Sequence, residues 1–191
     1  MDLTITPPER RKTQSVRPLG QVDISGIRDD ILAIPDEVWA LENQGKPNKF
    51  EALDTTQHIV FRFVNSLQDW RYSHDRPLWA LWRERLEPVL RQATAPYGYA
   101  HGIYPRVMFA RMPAGSAIKP HIDASRSASW PHKIHVPITT NQQVRFYVDP
   151  CAYHLEVGYA YEVNNLVTHS VVNGGNTSRI HLIFEYCEAL A

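Results

Sequence analysis

The chain has 191 residues, of which 43% are hydrophobic and 21% are charged, and this is typical of one soluble globular domain. Twenty basic residues balance twenty acidic ones, which removes the usual electrostatic argument for a nucleic-acid or anionic-membrane partner. Two cysteines, Cys151 and Cys187, are too few for a disulfide framework, and no apolar run is long enough for a signal peptide or a membrane span. We therefore expect a cytoplasmic protein with reduced thiols.

The N-terminal segment is expected to be a tail followed by a single domain. Residues 1–18 are polar and contain three prolines, which predicts a flexible tail, with the domain over residues 19–191. Between residues 24 and 40, apolar side chains recur close to helical spacing. Pro35 lies inside that pattern, so we expect it to end or kink the helix.

The remaining elements change in character along the chain. Residues 58–64 (HIVFRFV) predict a strand, and residues 75–95 predict an amphipathic helix that Pro88 should kink or divide. After residue 99, short apolar runs alternate with turn residues, which predicts strands at 103–112, 133–138, 144–148, 159–163, 168–172 and 178–186. Helices followed by closely spaced strands favour an antiparallel barrel or sandwich with helices packed outside it.

The first candidate site is an HxD motif in Pro120-His121-Ile122-Asp123. Residues i and i+2 of an extended segment project from the same face, so His121 and Asp123 can bind one ion while Ile122 packs away from it. On its own the pair is weak evidence, because a chain with nine histidines contains such pairs by coincidence.

His169, 48 positions after His121, is the candidate for a third ligand. Two histidines and one carboxylate on one side of an ion form the facial triad of non-haem Fe(II) oxygenases, which leaves coordination positions open for cosubstrate and O₂. Taken alone, His169 is more typical of a hydrogen-bonded core histidine than of a metal ligand. If another histidine is the distal ligand, His181 and His154 are the next candidates.

Arg179 follows His169 by ten residues, beyond the turn signal Asn-Gly-Gly. On the final predicted strand Arg179, His181 and Ile183 share one face. An arginine in so apolar a strand is costly to bury without an anion, and a bidentate carboxylate would supply one. An internal ion pair is the alternative.

The HxD motif, the distal histidine and the arginine ten residues later together resemble the 2-oxoglutarate/Fe(II)-dependent oxygenases. The finer pattern resembles their aspartyl/asparaginyl β-hydroxylase branch, which includes bacterial amino-acid hydroxylases such as proline hydroxylases. The stretches that carry the resemblance are ARMPAGSAIKPHID (110–123), KIHVPI (133–138), VGYAYEVNNLVTHSVVN (157–173) and SRIHLIFE (178–185).

The resemblance implies a mainly β fold, a double-stranded β-helix (a cupin-like jelly roll) with the N-terminal helices packed outside. It also implies Fe(II) at His121, Asp123 and His169, with 2-oxoglutarate and O₂ as cosubstrates and ascorbate as a stimulant. Some members of the branch have glycine in place of the metal carboxylate. The presence of Asp123 argues against halogenation, because a halide needs the coordination position that the carboxylate fills.

The same resemblance assigns the cosubstrate residues. Arg179 would bind the distal carboxylate of 2-oxoglutarate, and His135 would lie beside its metal-chelating end. The branch commonly has an arginine two residues before the equivalent of His135. Here that residue is Lys133, a point charge without the fork geometry of arginine.

The loop 124–132, which follows the first two iron ligands, is expected to contact substrate, with Arg126 and Trp130 as the candidates. The alternative for these two residues is a solvated arginine and a packed tryptophan. We expect hydroxylation of an unactivated C–H bond in a small amino-acid-like substrate. The alternatives are hydroxylation of a peptide or protein side chain, a cupin-like metalloenzyme without 2-oxoglutarate, and a jelly-roll binding module without oxygenase activity. The sequence leaves the oligomeric state unknown.

Overall fold

The computed structural model describes residue 12 and residues 14–189. The strands are β1 (Val16–Gln21), β2 (Gln57–Ser66), β3 (Asp69–Asp75), β4 (Gly102–Ile103), β5 (Val107–Met112), β6 (Ala117–His121), β7 (His132–Thr139), β8 (Val144–Val148), β9 (Cys151–Tyr153), β10 (Tyr159–Val163), β11 (His169–Asn173) and β12 (Arg179–Glu188). The helices are α1 (Ser25–Leu32), α2 (Asp36–Gln44), α3 (Trp79–Thr94) and α4 (Arg126–Ser129), with single 3₁₀ turns at Glu51–Leu53 and Ala95–Tyr97.

The strands form two antiparallel sheets. The large sheet has the order β1-β10-β7-β12-β5-β2-β3, with β4 also paired to β12, and the small sheet has the order β6-β11-β8-β9. From β5 to β12 the chain passes back and forth between the two sheets, except that the consecutive strands β8 and β9 both lie in the small sheet. This arrangement confirms the predicted jelly-roll core.

The two faces of the large sheet are covered differently. Its outer face packs against α1, α2 and α3 in the main hydrophobic core, where Ile180, Leu182 and Phe184 of β12 are buried. Its inner face meets the small sheet through a second apolar cluster that includes Met112, Phe146 and Val171. Successive side chains of a strand point to opposite faces, so the alternate residues of β12 point between the sheets, as predicted.

The N-terminal predictions need one correction. Residues 1–11 and 13, which belong to the predicted tail, lie outside the described residues. The prediction of a tail is wrong for residues 16–18, because β1 begins at Val16 and pairs with β10. Pairing within the sheet satisfies backbone groups that a tail would leave in water.

The first helical region is confirmed as two helices, and Pro35 lies at the N-cap of the second. The second predicted helix begins later than expected, at Trp79, because Asp69–Asp75 forms β3. Pro88 lies inside α3 without dividing it. No helix in the described part of the chain is long and apolar enough to cross a membrane.

Candidate functional site

Strand pairing brings the three candidate metal ligands together. His121 at the end of β6 is directly opposite His169 at the start of β11, and their ring centroids are 4.2 Å apart. His121 Nε2 lies 3.8 Å from Asp123 Oδ1. Ligand atoms of the three residues all lie within 4.8 Å of one another. The predicted HxD and distal histidine therefore form one cluster, at the edge where the small sheet meets the large one.

The backbone orients both imidazoles toward the centre of this cluster. His121 Nδ1 lies 2.8 Å from the carbonyl of Lys119, and His169 Nδ1 lies 3.0 Å from the carbonyl of Val167. A carbonyl only accepts, so each Nδ1 carries the proton and each Nε2 lone pair is free to bind a metal. Burial also lowers the pKa of His169, which favours the neutral form that a metal requires.

A buried chain of charges leads from Asp123 into the barrel. Lys133 Nζ lies 3.1 Å from Asp123 Oδ2 and 3.7 Å from Glu185 Oε1, and Arg106 pairs with the other oxygen of Glu185. Burial alone would raise the pKa of Asp123, but Lys133 and the two neighbouring histidines together outweigh burial and hold that pKa below its usual range. Burial likewise opposes the charge of Lys133, whose pKa is nevertheless raised by Asp123 and Glu185. Lys133 thus forms an ion pair with Oδ2 of Asp123 and leaves Oδ1 toward the histidines.

Arg179 lies on the opposite wall, on the large sheet, and is 1% exposed. Its Nε and Nη1 atoms are buried and have no hydrogen-bond partner among the described residues. Burial lowers the pKa of this guanidinium to about 9, so it remains charged at neutral pH. A buried cation without an anion is costly, and none of the described residues forms the internal ion pair considered above. The residue is therefore suited to bind an anionic ligand.

His135 lies beside Arg179 and contacts a second buried histidine. Its Nδ1 is 3.3 Å from Nδ1 of His181, and burial lowers the pKa of both rings well below the usual value. One Nδ1 must donate to the other, and His181 Nε2 is buried without a partner. If His181 carried its proton on Nε2, that N–H would be buried without an acceptor, and a buried N–H without a partner is rarer than a buried acceptor without one. We therefore assign the proton between the two Nδ1 atoms to His181. His135 then carries its own proton on Nε2.

Apart from His181, the side chains described above line one cavity of about 340 Å³ between the sheets. Its deep end is formed by Arg179, His135 and Phe146, each of them buried. Its mouth is formed by three exposed apolar side chains, Phe50, Leu67 and Ile122. The clustered ligand atoms of the metal triad lie between the two ends.

The two predicted substrate contacts do not line this cavity. Arg126 is exposed on α4, and Trp130 stacks on Trp70 with ring centroids 5.5 Å apart. Neighbouring residues of the same loop, Ala124, Ser125 and Ala128, do line it. That this loop contacts substrate stays a prediction, whereas the two side chains fit the alternative of a solvated arginine and a packed tryptophan. His154, a fallback ligand, hydrogen-bonds the Val144 carbonyl at 3.2 Å and lies outside the cluster.

Several cavity residues were missed by the sequence analysis. Glu185 continues the face that carries Arg179 and Ile183, so alternation along β12 was a usable signal. Arg106 precedes β5 and carries no comparable signal. The segment Pro47–Phe50 also lines the cavity, and no motif in the sequence marks it.

Comparisons with known proteins agree with this geometry. Residues 94–188 match the family model described as aspartyl/asparaginyl beta-hydroxylase. A search of the curated proteins found no match.

Similar solved structures include a 2OG-Fe(II) oxygenase-family oxidoreductase from Burkholderia pseudomallei, with 14% identity and a TM-score of 0.50 over 69% of this chain and 65% of that one. A viral collagen prolyl hydroxylase from Paramecium bursaria Chlorella virus-1 aligns with 10% identity and a TM-score of 0.55 over 91% and 96% of the chains. The non-haem α-ketoglutarate-dependent epimerase SnoN from nogalamycin biosynthesis aligns with 11% identity and a TM-score of 0.57 over 92% and 78%. At these identities the likeness establishes the fold.

The jelly roll, the His-Asp-His cluster and the family match together define an oxygenase-type hydroxylase of the 2-oxoglutarate/Fe(II) class. Within that class, the chain belongs to the aspartyl/asparaginyl β-hydroxylase family, whose model covers about half of the chain, at residues 94–188.

Proposed function

We propose that this protein is a dioxygenase that uses Fe(II), 2-oxoglutarate and O₂ to hydroxylate an unactivated C–H bond of a small amino-acid-like substrate. The observation that carries the proposal is the unpaired guanidinium of Arg179, buried in the same cavity as the clustered ligand atoms of His121, Asp123 and His169. A metal triad alone is compatible with many metalloenzymes. A triad that shares a cavity with a buried cation is suited to a chelating dicarboxylate.

The donor set fits Fe(II). Two neutral imidazoles and one carboxylate on one side of an ion match the facial triad, and the carbonyls of Lys119 and Val167 hold both rings with Nε2 toward the ion. The pair with Lys133 leaves Asp123 a single oxygen for the metal. Fe(II) bound there would supply the oxidising chemistry, in which O₂ and 2-oxoglutarate convert C–H to C–OH with release of succinate and CO₂.

The deep end fits 2-oxoglutarate. Arg179 offers unpartnered donors for the distal carboxylate, and an Arg–carboxylate pair of this kind is both strong and directional. His135, protonated on Nε2, offers a donor to the end that chelates the metal. Lys133 neutralises Asp123 and Glu185 instead of pairing with the cosubstrate. We propose that this role replaces the one that the family commonly gives to arginine at this position.

Three alternatives remain as separate hypotheses. Hydroxylation of a peptide or protein side chain would use the same residues with a larger substrate. A cupin-like metalloenzyme would bind metal at the triad without needing Arg179. A binding module without oxygenase activity would tolerate His121→Ala or Asp123→Ala with no functional loss.

The test measures succinate from purified protein supplied with Fe(II), 2-oxoglutarate, O₂ and ascorbate, against pools of amino acids, acylated amino acids and small peptides. We expect succinate whose rate rises with one pool and falls to background in His169→Ala. Anaerobic titration with Fe(II) and 2-oxoglutarate accompanies it. If neither ligand binds, the oxygenase proposal is wrong. Metal binding that is indifferent to 2-oxoglutarate would favour the cupin-like enzyme.

A further inference from the structure

The mouth of the cavity exposes large apolar side chains from three separate segments. Phe50, Leu67 and Ile122 are 45%, 54% and 44% exposed, and all three line the cavity. The ring of Phe50 also contacts the ring of His121 edge-on, with centroids 5.4 Å apart. Exposed apolar side chains that converge on one site mark a binding surface. An apolar part of the ligand therefore belongs next to the metal cluster.

The cavity has no free negative charge for an ammonium group. Asp123 and Glu185 are the carboxylates among the described residues that line it. Lys133 pairs with both of them, and Arg106 pairs with Glu185 as well. The α-ammonium of a free amino acid would leave water for this cavity without a counter-charge, which is unfavourable. The substrate nitrogen is therefore expected to be uncharged.

Two polar groups next to Phe50 remain available. Asn48 Oδ1 is buried without a hydrogen-bond partner, while its amide nitrogen lies 4.0 Å from the sulfur of Met108. An amide N–H would satisfy this acceptor. Lys49 is exposed on the cavity rim and forms no ion pair with any described residue. A carboxylate is the complementary group for this cation.

We propose that the substrate is an amide-linked amino acid with an apolar side chain and a free carboxylate, either an N-acylated amino acid or the C-terminal residue of a peptide. The side chain would occupy the mouth beside Phe50, the amide N–H would donate to Asn48 Oδ1, and the carboxylate would pair with Lys49. In such a residue one carbon separates the nitrogen from the carboxylate, and Asn48 and Lys49 are chain neighbours that both line the cavity. This proposal rests on the proposed function, because it places the reacting C–H beside the triad.

The first experiment measures calorimetric binding to protein loaded anaerobically with Fe(II) and 2-oxoglutarate. The binding of Fe(II) and 2-oxoglutarate tests the proposed function separately, because a failure of either to bind is detected before any substrate is added. Matched series with valine, leucine and phenylalanine side chains are then compared: the N-acetyl amino acid, the free amino acid and the N-acetyl amino acid amide. We expect the N-acetyl acid to bind at least about tenfold more tightly than the other two, as a lost charge-assisted hydrogen bond implies.

Two further ligands distinguish a peptide C-terminus from a small acylated amino acid as the substrate. Glycyl-leucine and a pentapeptide ending in leucine share the amide and the carboxylate with N-acetyl-leucine. Tighter binding of the pentapeptide identifies a peptide C-terminus, and tighter binding of N-acetyl-leucine identifies a small acylated amino acid. If the free amino acids bind as tightly as the acylated ones, or if no acylated member or peptide binds to the loaded protein, the proposal is overturned.

Two variants test the assigned contacts. Asn48→Asp places a carboxylate where the amide is bound, so we expect the preference to shift toward free leucine by about tenfold or more. Lys49→Gln should reduce the affinity for N-acetyl-leucine to that for its amide. Arg28→Gln, at an exposed arginine of α1 that does not line the cavity, is the control and should leave the ligand order unchanged. Unchanged preferences in both cavity variants would contradict the assignment even if the ligand series behaved as expected.

Discussion

Folded proteins usually expose charged side chains and bury apolar ones. The deep end of the cavity buries a charge, and its mouth exposes apolar side chains. At the deep end a charged side chain, Arg179, is 1% exposed and its Nε and Nη1 have no described partner. At the mouth the apolar side chains of Phe50, Leu67 and Ile122 lie in water. The first arrangement is costly because a charge has lost its hydration. The second is costly because apolar surface has remained hydrated.

Both departures disappear when the proposed ligands are added. A dicarboxylate would neutralise Arg179, and an apolar substrate would cover the mouth. Between the two ends, by contrast, Lys133, Asp123 and Glu185 are already paired with one another. Under the proposed function, the two ends lack partners because they bind ligands, whereas the charges between them are paired with one another because they position the metal carboxylate.

The largest expected effect comes from removing the charge at the deep end. Arg179→Met keeps much of the side-chain volume, and replacing a buried charge by an apolar residue is often neutral or stabilising. We expect a melting temperature at or above that of the unmodified protein. The affinity for 2-oxoglutarate in the presence of Fe(II) should nevertheless fall by about 100-fold to 1,000-fold, because a truncated buried ion pair loses about 3–4 kcal/mol.

Anaerobic titration and thermal unfolding measure these two effects on the same preparation. Arg145→Met is the matched control, because this exposed arginine of β8 donates to the carbonyls of Gln142 and Val144. It should leave 2-oxoglutarate affinity unchanged. Unchanged affinity in Arg179→Met would show that the cosubstrate carboxylate binds elsewhere.

The deep end was largely predictable from the sequence, and the mouth was not. His121, His169 and Arg179 lie on strands, where alternation decides which face a side chain occupies, and Asp123 lies two residues beyond the end of β6. The structure brings the three candidate ligands together as the pattern indicated. The resemblance to a known family added His135. The fold followed for the same reason, since short alternating strands with turn residues between them specify a barrel.

The mouth is built from segments without such a pattern. Phe50 follows a loop and Leu67 occupies the tip of the β2–β3 hairpin, whose second strand was not predicted. Arg126 and Trp130 were chosen because their side chains could recognise a ligand, but the short helix α4 directs Arg126 to solvent and Trp130 onto Trp70. Loop conformation depends on long-range contacts, so neighbours in sequence do not reveal which side chains reach the cavity.

A smaller effect on 2-oxoglutarate affinity is expected from substitution of His181, which contacts His135. His181→Leu removes the donor that holds His135 in its assigned tautomer, and we expect about a tenfold loss of 2-oxoglutarate affinity, corresponding to one hydrogen bond. His181→Asn retains a short-range amide donor and should recover most of the affinity. A purely structural role would lower the melting temperature without this rescue of binding, so both quantities are measured for both variants. Equal affinities in the two variants would contradict the positioning role of His181.

The smallest effect is expected at the mouth. Leu67→Gln replaces an exposed apolar side chain, so the free energy of unfolding should change by no more than about 0.5 kcal/mol. The affinity for N-acetyl-leucine should fall by about threefold to tenfold, as expected when part of one leucine side chain no longer buries apolar surface. The affinity for 2-oxoglutarate should not change, because Leu67 lies at the opposite end of the cavity from Arg179.

Leu41→Gln is the matched control: Leu41 is 67% exposed on α2 and does not line the cavity. If both leucine variants weaken N-acetyl-leucine binding equally, or if Leu67→Gln weakens 2-oxoglutarate binding instead, the mouth is not a separate substrate surface and the contrast between the two ends does not hold.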